Sequence, residues 1–213
     1  GIAHETEEDA GANAWFVMAG SQLLYNKDSY NAADQKRLGI ILNIADYIIS
    51  LQNTDRNHPA FGGIRTNLGS PYYSTEFTVS TRATLRMVSD LLRAKHAELG
   101  LSEDEAARRI ATFEYAARNT EAFLKASLRT ERSQDTWVNF QLWKLRVLSI
   151  GPKTRVLGIP LYTDETHYMQ RGYLDVEGKG WDNVFATDLA MWTAMSMSEK
   201  ECKALFGVSR ERL

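Results

Sequence analysis

Four acidic residues in this chain stand close to an aromatic at points where an apolar segment begins. Glu76 lies in the run Tyr72-Tyr73-Ser74-Thr75-Glu76-Phe77, ahead of the apolar stretch from Thr78 to Leu92. Asp9 precedes the stretch that holds Trp15, Asp135 stands two residues before Trp137, and Asp182 follows Trp181. A carboxyl desolvated by neighbouring rings favours its protonated form, so such residues can do acid and base work. Hydrolysis of a glycosidic bond needs two carboxyl groups, one protonated as acid and one ionised as base or nucleophile. Glu76 is the first candidate for the acid, because Tyr72, Tyr73 and Phe77 are its neighbours. Asp182 and Asp9 are the preferred candidates for the base, with Asp135 behind them. The same acids at helix starts also suit plain capping, which any helix favours.

Trp15, Tyr72, Tyr73, Trp137 and Trp181 offer flat apolar faces of the kind that stack on the C–H face of a pyranose, whereas Trp143 and Trp192 lie deep in apolar segments and read as core. A second constellation is Asp164-Glu165-Thr166-His167-Tyr168 with Arg171 and Tyr173. His167 and Tyr168 could act as base and acid in β-elimination from a uronic acid, with Arg171 neutralising the substrate carboxylate. The four histidines are dispersed, and no two have the helical spacing that metal ligands use. There is no Walker loop, no dinucleotide fingerprint and no Gly-x-Ser-x-Gly elbow, so neither a metal nor a cofactor is expected.

The elements that must carry these residues read as helices of two kinds. Ala10 to Tyr25, Thr136 to Ile150 and Val184 to Met197 are apolar on nearly every face, as is much of Thr78 to His96, and a helix of that kind is expected to be buried. Ala32 to Gln52 and the segment after Ser102 each show one apolar stripe, Leu38-Ile41-Leu42-Ala45-Ile48-Ile49 and Ala106-Ile110-Phe113-Ala117-Phe123-Leu124. Ser102 with Glu105 and Ser198 with Glu201 have capping-box spacing and mark helix starts. Asn53 to Pro71 reads as a loop with a short extended piece at Ala60 to Arg65. Residues 151–180 read as an irregular loop insertion with short strands, and a loop of that length in a compact domain is more often functional than idle.

Buried and one-sided helices therefore alternate, which predicts an all-α chain of antiparallel hairpins over residues 1–213 as a single domain. With Asn13-Ala14-Trp15, Gly62-Gly63-Ile64 and Ser74-Thr75-Glu76-Phe77, the pattern resembles the six-hairpin α/α toroid superfamily of glycoside hydrolases, polysaccharide lyases and sugar epimerases. The resemblance implies a toroid or an arc of it, with parallel inner helices whose starts gather Asp9, Glu76, Asp135 and Asp182 in one cleft. It implies a glycoside hydrolase acting on an oligo- or polysaccharide, with a uronic-acid lyase or epimerase, or a non-catalytic glycan- or protein-binding module, as alternatives. An incomplete ring would leave an apolar helix to be covered by self-association or by a neighbouring domain.

Bulk composition bounds the partners. The 213 residues suffice for one domain with a substantial core, and 25 Lys and Arg against 27 Asp and Glu give a net charge of -2. No nucleic-acid or membrane-surface partner is expected from that balance. The single cysteine rules out an internal disulfide. Compartment is open on this sequence, with a periplasmic or secreted setting favoured because the residues 1–213 begin with Gly and an export signal could have been removed.

Overall fold

The computed structural model describes residues 9–132, 155–156, 159–160, 165–185, 189, 193 and 195–209. Asp135, Trp137 and the apolar segment from 136 to 150 lie outside them. Five helices are defined among the described residues: α1 (Ala10–Tyr25), α2 (Ala32–Ser50), α3 (Thr75–Lys95), α4 (Glu103–Ser127) and α5 (Glu199–Phe206). Seven strands accompany them: β1 (Ile64–Arg65), β2 (Tyr72–Ser74), β3 (Leu128–Arg132), β4 (Arg155–Val156), β5 (Ile159–Pro160), β6 (Glu165–Leu174) and β7 (Gly180–Phe185).

The all-α expectation is overturned by a five-stranded antiparallel sheet, ordered β1-β2-β6-β3 with β7 also on β6. The toroid goes with it, for α3 and α4 pack on β6 where a ring would place its next helical hairpin. The longest strand of the sheet, β6, comes from the segment read as a loop insertion with short strands. β6, ten residues long, bonds to β2, β3 and β7 and so satisfies its backbone across the sheet. Val184 and Phe185, read as the start of a buried helix, are the last residues of β7.

The two helical hairpins themselves are present. α1 and α3 run in the same direction: a Cβ on Gly11 would meet the Phe77 ring, and the Ala14 carbonyl accepts from Thr84 Oγ1. α3 and α4 run oppositely, with Arg82 bonded to Glu121 and Arg93 to Glu114. Asp34 ties the first hairpin's turn together, accepting from Lys27 Nζ at 2.6 Å, Arg37 Nη1 at 2.7 Å and the Asn31 amide. Its carboxyl is held below the usual carboxylate range, first by Lys27, against its own burial. The α2 stripe is buried as its spacing requires, at Leu38, Ile41, Leu42, Ala45 and Ile48. α1 departs from expectation: Ala14, Val17 and Leu24 face the core, but Trp15, Phe16, Leu23 and Tyr25 are about half exposed.

α5 is fastened by one carboxylate. Glu201 accepts from the Ser198 amide and hydroxyl in a capping box, and also from Arg82 Nη2 at 2.9 Å and from Arg86. Burial pushes its carboxyl up, but the Ser198 amide, Arg82, the Ser198 hydroxyl and Arg86 together bring it down to about 2. Beneath it Cys202 packs with Val79, Leu124, Met169, Leu189 and Met197.

Because the folded-state value lies below the ordinary 4.5, the hold of Glu201 on α5 is complete above that pH and is lost as pH falls toward 2. Cys202, buried and the chain's single cysteine, reports the opening. Its modification by an acid-active pyridyl disulfide should accelerate over that window. Glu201→Gln should show the faster rate already at neutral pH, having lost about 1–3 kcal/mol of local stability as Arg82 loses a charged partner; a variant as slow as the parent refutes this role. A second test concerns the loop over α4. Gly62 has φ +82°, and a Cβ there would lie 1.9 Å from the Asn119 carbonyl oxygen. Gly62→Ala should lower stability by upwards of about 3 kcal/mol, read as a fall in denaturant midpoint.

Candidate functional site

The sheet decides which candidate residues can meet. Residues directly opposite on paired strands share a face, and neighbours along a strand point to opposite faces. Arg65 pairs with Tyr73, Tyr73 with Tyr173, and Tyr173 with Trp181. These four form one row across β1, β2, β6 and β7. Tyr72 and Asp182 belong to the other face. The adjacent pairs Tyr72-Tyr73 and Trp181-Asp182, expected in one cleft, are therefore divided between two sites.

On the Tyr72 face, Arg171 reaches Asp182 at 2.8 Å from Nε and 2.7 Å from Nη2, helped by a register shift between Gln170 and Gly172. The Tyr72 phenol lies over Gly172, where a Cβ would sit 2.5 Å from the ring carbon bearing the hydroxyl. Burial pushes the Tyr72 hydroxyl's pKa up, and the Asp182 charge adds to the rise against the opposing pull of Arg171. Three candidates thus meet, Tyr72, Arg171 and Asp182, but Asp182 is committed to an ion pair.

The remaining candidates are scattered. Asp9 is the N-cap of α1 and accepts from the Gly11 amide at 2.6 Å. Glu76 is exposed in the first turn of α3. Gly11 lies against the Phe77 ring, which brings those two helix starts together. Trp15 stands on the exposed side of α1. His167 and Tyr168 are backbone partners of Thr130 and Arg129 in the β6–β3 ladder.

The other face of the sheet builds a cavity of about 360 Å³ that the sequence reading did not assemble. Its lining includes Asn53, Asp55, His58, Arg65, Tyr73 and Asp175, drawn from the loop after α2, from β1 and β2, and from the turn after β6. Two successive Asx turns shape the loop, as Asn53 Oδ1 accepts from the Asp55 amide and Asp55 Oδ1 from the Asn57 amide. Gln52 fastens it to α4 by donating to the carbonyls of Gly62 and Ala116. The Asp175 amide bonds to the Pro71 carbonyl at 2.9 Å, which brings that carboxylate to the cavity wall.

Within this cavity the donor and acceptor roles are well defined. The Tyr73 ring is 1% exposed, and its hydroxyl oxygen accepts from Arg65 Nε at 2.9 Å and Asn53 Nδ2 at 3.2 Å. His58 Nδ1 accepts from the Ala60 amide at 3.0 Å, so the ring's proton is on Nε2, which lies 3.3 Å from Asp175 Oδ1. The imidazole also stands against Tyr73 and, edge-on, against Tyr173. His58 Nδ1 is thus taken up by a backbone amide, and Nε2 stands at contact distance from Asp175. Of these residues only Tyr73 was a candidate from sequence; the Asn53-to-His58 run, dense in Asx residues, was the available signal.

A larger groove of about 770 Å³ lies along α1, α3 and α5. Its cations are already matched, Arg86 with Glu201 and Arg93 with Asp90 and Glu114. Among the described residues no group of His, Cys, Asp and Glu could hold a metal ion, and no helix is long and apolar enough to cross a membrane. The chain matches no family model, no curated protein and no solved structure, so its site is read from its own geometry.

Proposed function

We propose that this chain is a carbohydrate-active protein whose polar cavity holds one residue of an oligo- or polysaccharide. The observation that carries the reading is the convergence of Asn53, Asp55, Arg65, Tyr73 and Asp175 on a single cavity of about 360 Å³. That volume falls within the roughly 300–1,000 Å³ of small-ligand sites. The lining mixes charged acceptors, amide and guanidinium donors and a phenol, which is what a hydroxyl-rich ring needs, since each hydroxyl both donates and accepts.

Hydrolysis is a second reading, favoured by the presence of two carboxylates, Asp55 and Asp175, in the same lining. They replace Glu76, Asp182 and Asp9 as the proposed acid and base, because among the described residues these are the two carboxylates that line the polar cavity. In this scheme His58 Nε2 stands 3.3 Å from Asp175 Oδ1, and the carboxylate would activate water or attack the anomeric carbon.

Calorimetric titration with a panel of α- and β-linked oligosaccharides tests the binding. Asn53→Ala, which removes a donor to Tyr73 and the acceptor of one Asx turn, should weaken the tightest binder about tenfold, the loss of one good hydrogen bond. Absence of binding across the panel would refute the proposal. Product analysis separates the two readings: Asp175→Asn should retain binding and abolish any release of reducing ends, whereas a parent protein that binds without cleaving is a binding module.

A further inference from the structure

Arg65 is the cation of the cavity that lacks an acidic partner. Arg37, Arg82, Arg86, Arg93, Arg108, Arg109 and Arg171 each bond to a carboxylate. Arg65 instead donates from Nε to the Tyr73 hydroxyl, and its guanidinium carbon lies 5.2 Å from the Tyr73 ring centre. Tyr73 is fixed by its burial and by its place in β2, so the guanidinium is held by bonding on one edge and stacking on its face. Both Nη groups are left without an acceptor among the described residues. A half-buried guanidinium in a polar cavity, oriented but not neutralised, is a fork for a planar anion.

The geometry points to a carboxylate-bearing sugar, a uronic acid, as the ligand of this cavity, with Arg65 as the carboxylate anchor. The inference rests on the carbohydrate reading above and narrows it. Asp55 and Asp175 share the cavity and would repel a ligand carrying several negative charges, but they accept readily from hydroxyls. A ligand with one carboxylate and several hydroxyls satisfies both sides of the lining. A carboxylate, flat like the guanidinium, can take two parallel N–H bonds from the Nη edge.

The test uses matched ligands: a glucose oligosaccharide, the glucuronic acid oligosaccharide of the same linkage, and the glucose oligosaccharide sulfated at position 6. The full chain should bind the uronic form at least about tenfold more tightly than the neutral form at low salt, with the preference shrinking as salt rises. Arg65→Gln should erase the preference, weakening the uronic form by at least about tenfold more than it weakens the neutral form. Its melting temperature is measured alongside, and Tyr73→Phe, which releases Arg65 without removing its charge, should narrow the preference by itself. Equal affinity for neutral and uronic forms, or tighter binding of the sulfated form, overturns the uronic assignment and leaves the carbohydrate reading standing. Binding of none of the three overturns both.

Discussion

Between Tyr73 and Thr78 the chain passes from strand into helix with no loop, and successive side chains bond to different parts of the molecule. Ser74 Oγ caps α3 by accepting from the Phe77 amide, and Thr75 Oγ1 donates to the Gln170 carbonyl of β6 at 2.6 Å. Thr78 Oγ1 accepts from the Ile64 amide and donates to the Ser74 carbonyl. Ser74, Thr75 and Thr78 are all buried. Each bond satisfies a group that would otherwise be desolvated without a partner, at a cost of about 1–3 kcal/mol apiece. The junction therefore welds the helical hairpins to the sheet, and it fixes where both faces of β2 point.

That fixed orientation explains why the polar cavity forms where it does. With Ser74 committed to the cap of α3, Tyr73 must face the loop after α2, and its hydroxyl becomes the point on which Arg65 and Asn53 converge. Gly172 opposes Ser74 across the ladder, and a Cβ there would lie 2.3 Å from the Tyr73 carbonyl oxygen. The close approach of β2 to β6 thus requires glycine. It also leaves room for the Tyr72 phenol over Gly172, on the face of the sheet away from the cavity. The cavity is held by rigid strands on one side and by a loop pinned through Gln52 to α4 on the other, an arrangement that pre-organises polar groups before a ligand arrives.

The helices were legible because their signals are local. The stripe of α2, the cap at Ser102 and the capping box of Ser198 with Glu201 all appear at the residues that carry them. The strands were legible only as short extended pieces at Ala60 to Arg65 and within 151–180, and the length of β6 was hidden because it does not alternate: Met169 and Gln170 are adjacent and both buried, while Arg171 is exposed beside the register shift. β7 ends in Val184 and Phe185, and a short apolar run cannot be told from a buried helix by periodicity alone. Once those segments are strands, counting acids near aromatics misleads, because Trp181 and Asp182 on a helix start would flank one cleft but on a strand face opposite ways. The cavity residues were illegible for a different reason. Asn53, His58 and Asp175 meet only because Gly62 lets the loop cross Asn119 and because Asp175 bonds to Pro71, and neither contact leaves a local pattern.

Charge matching separates the ionised groups of this chain in a way that a tally of acids and aromatics does not. Asp182 sits in a face with a tyrosine, yet Arg171 already answers its charge. Asp9 is spent on the amide of Gly11, and Glu201, whose carboxyl is held down to about 2, is spent on fastening α5. Each of these is a charge whose partner lies within the fold, and such a pair contributes position, with little left to offer a ligand. Arg65 reverses the pattern, since its bonding partner is a neutral phenol that orients the guanidinium without cancelling it. An oriented cation in a polar cavity is stabilised when an anion binds, and that differential is what a binding site requires.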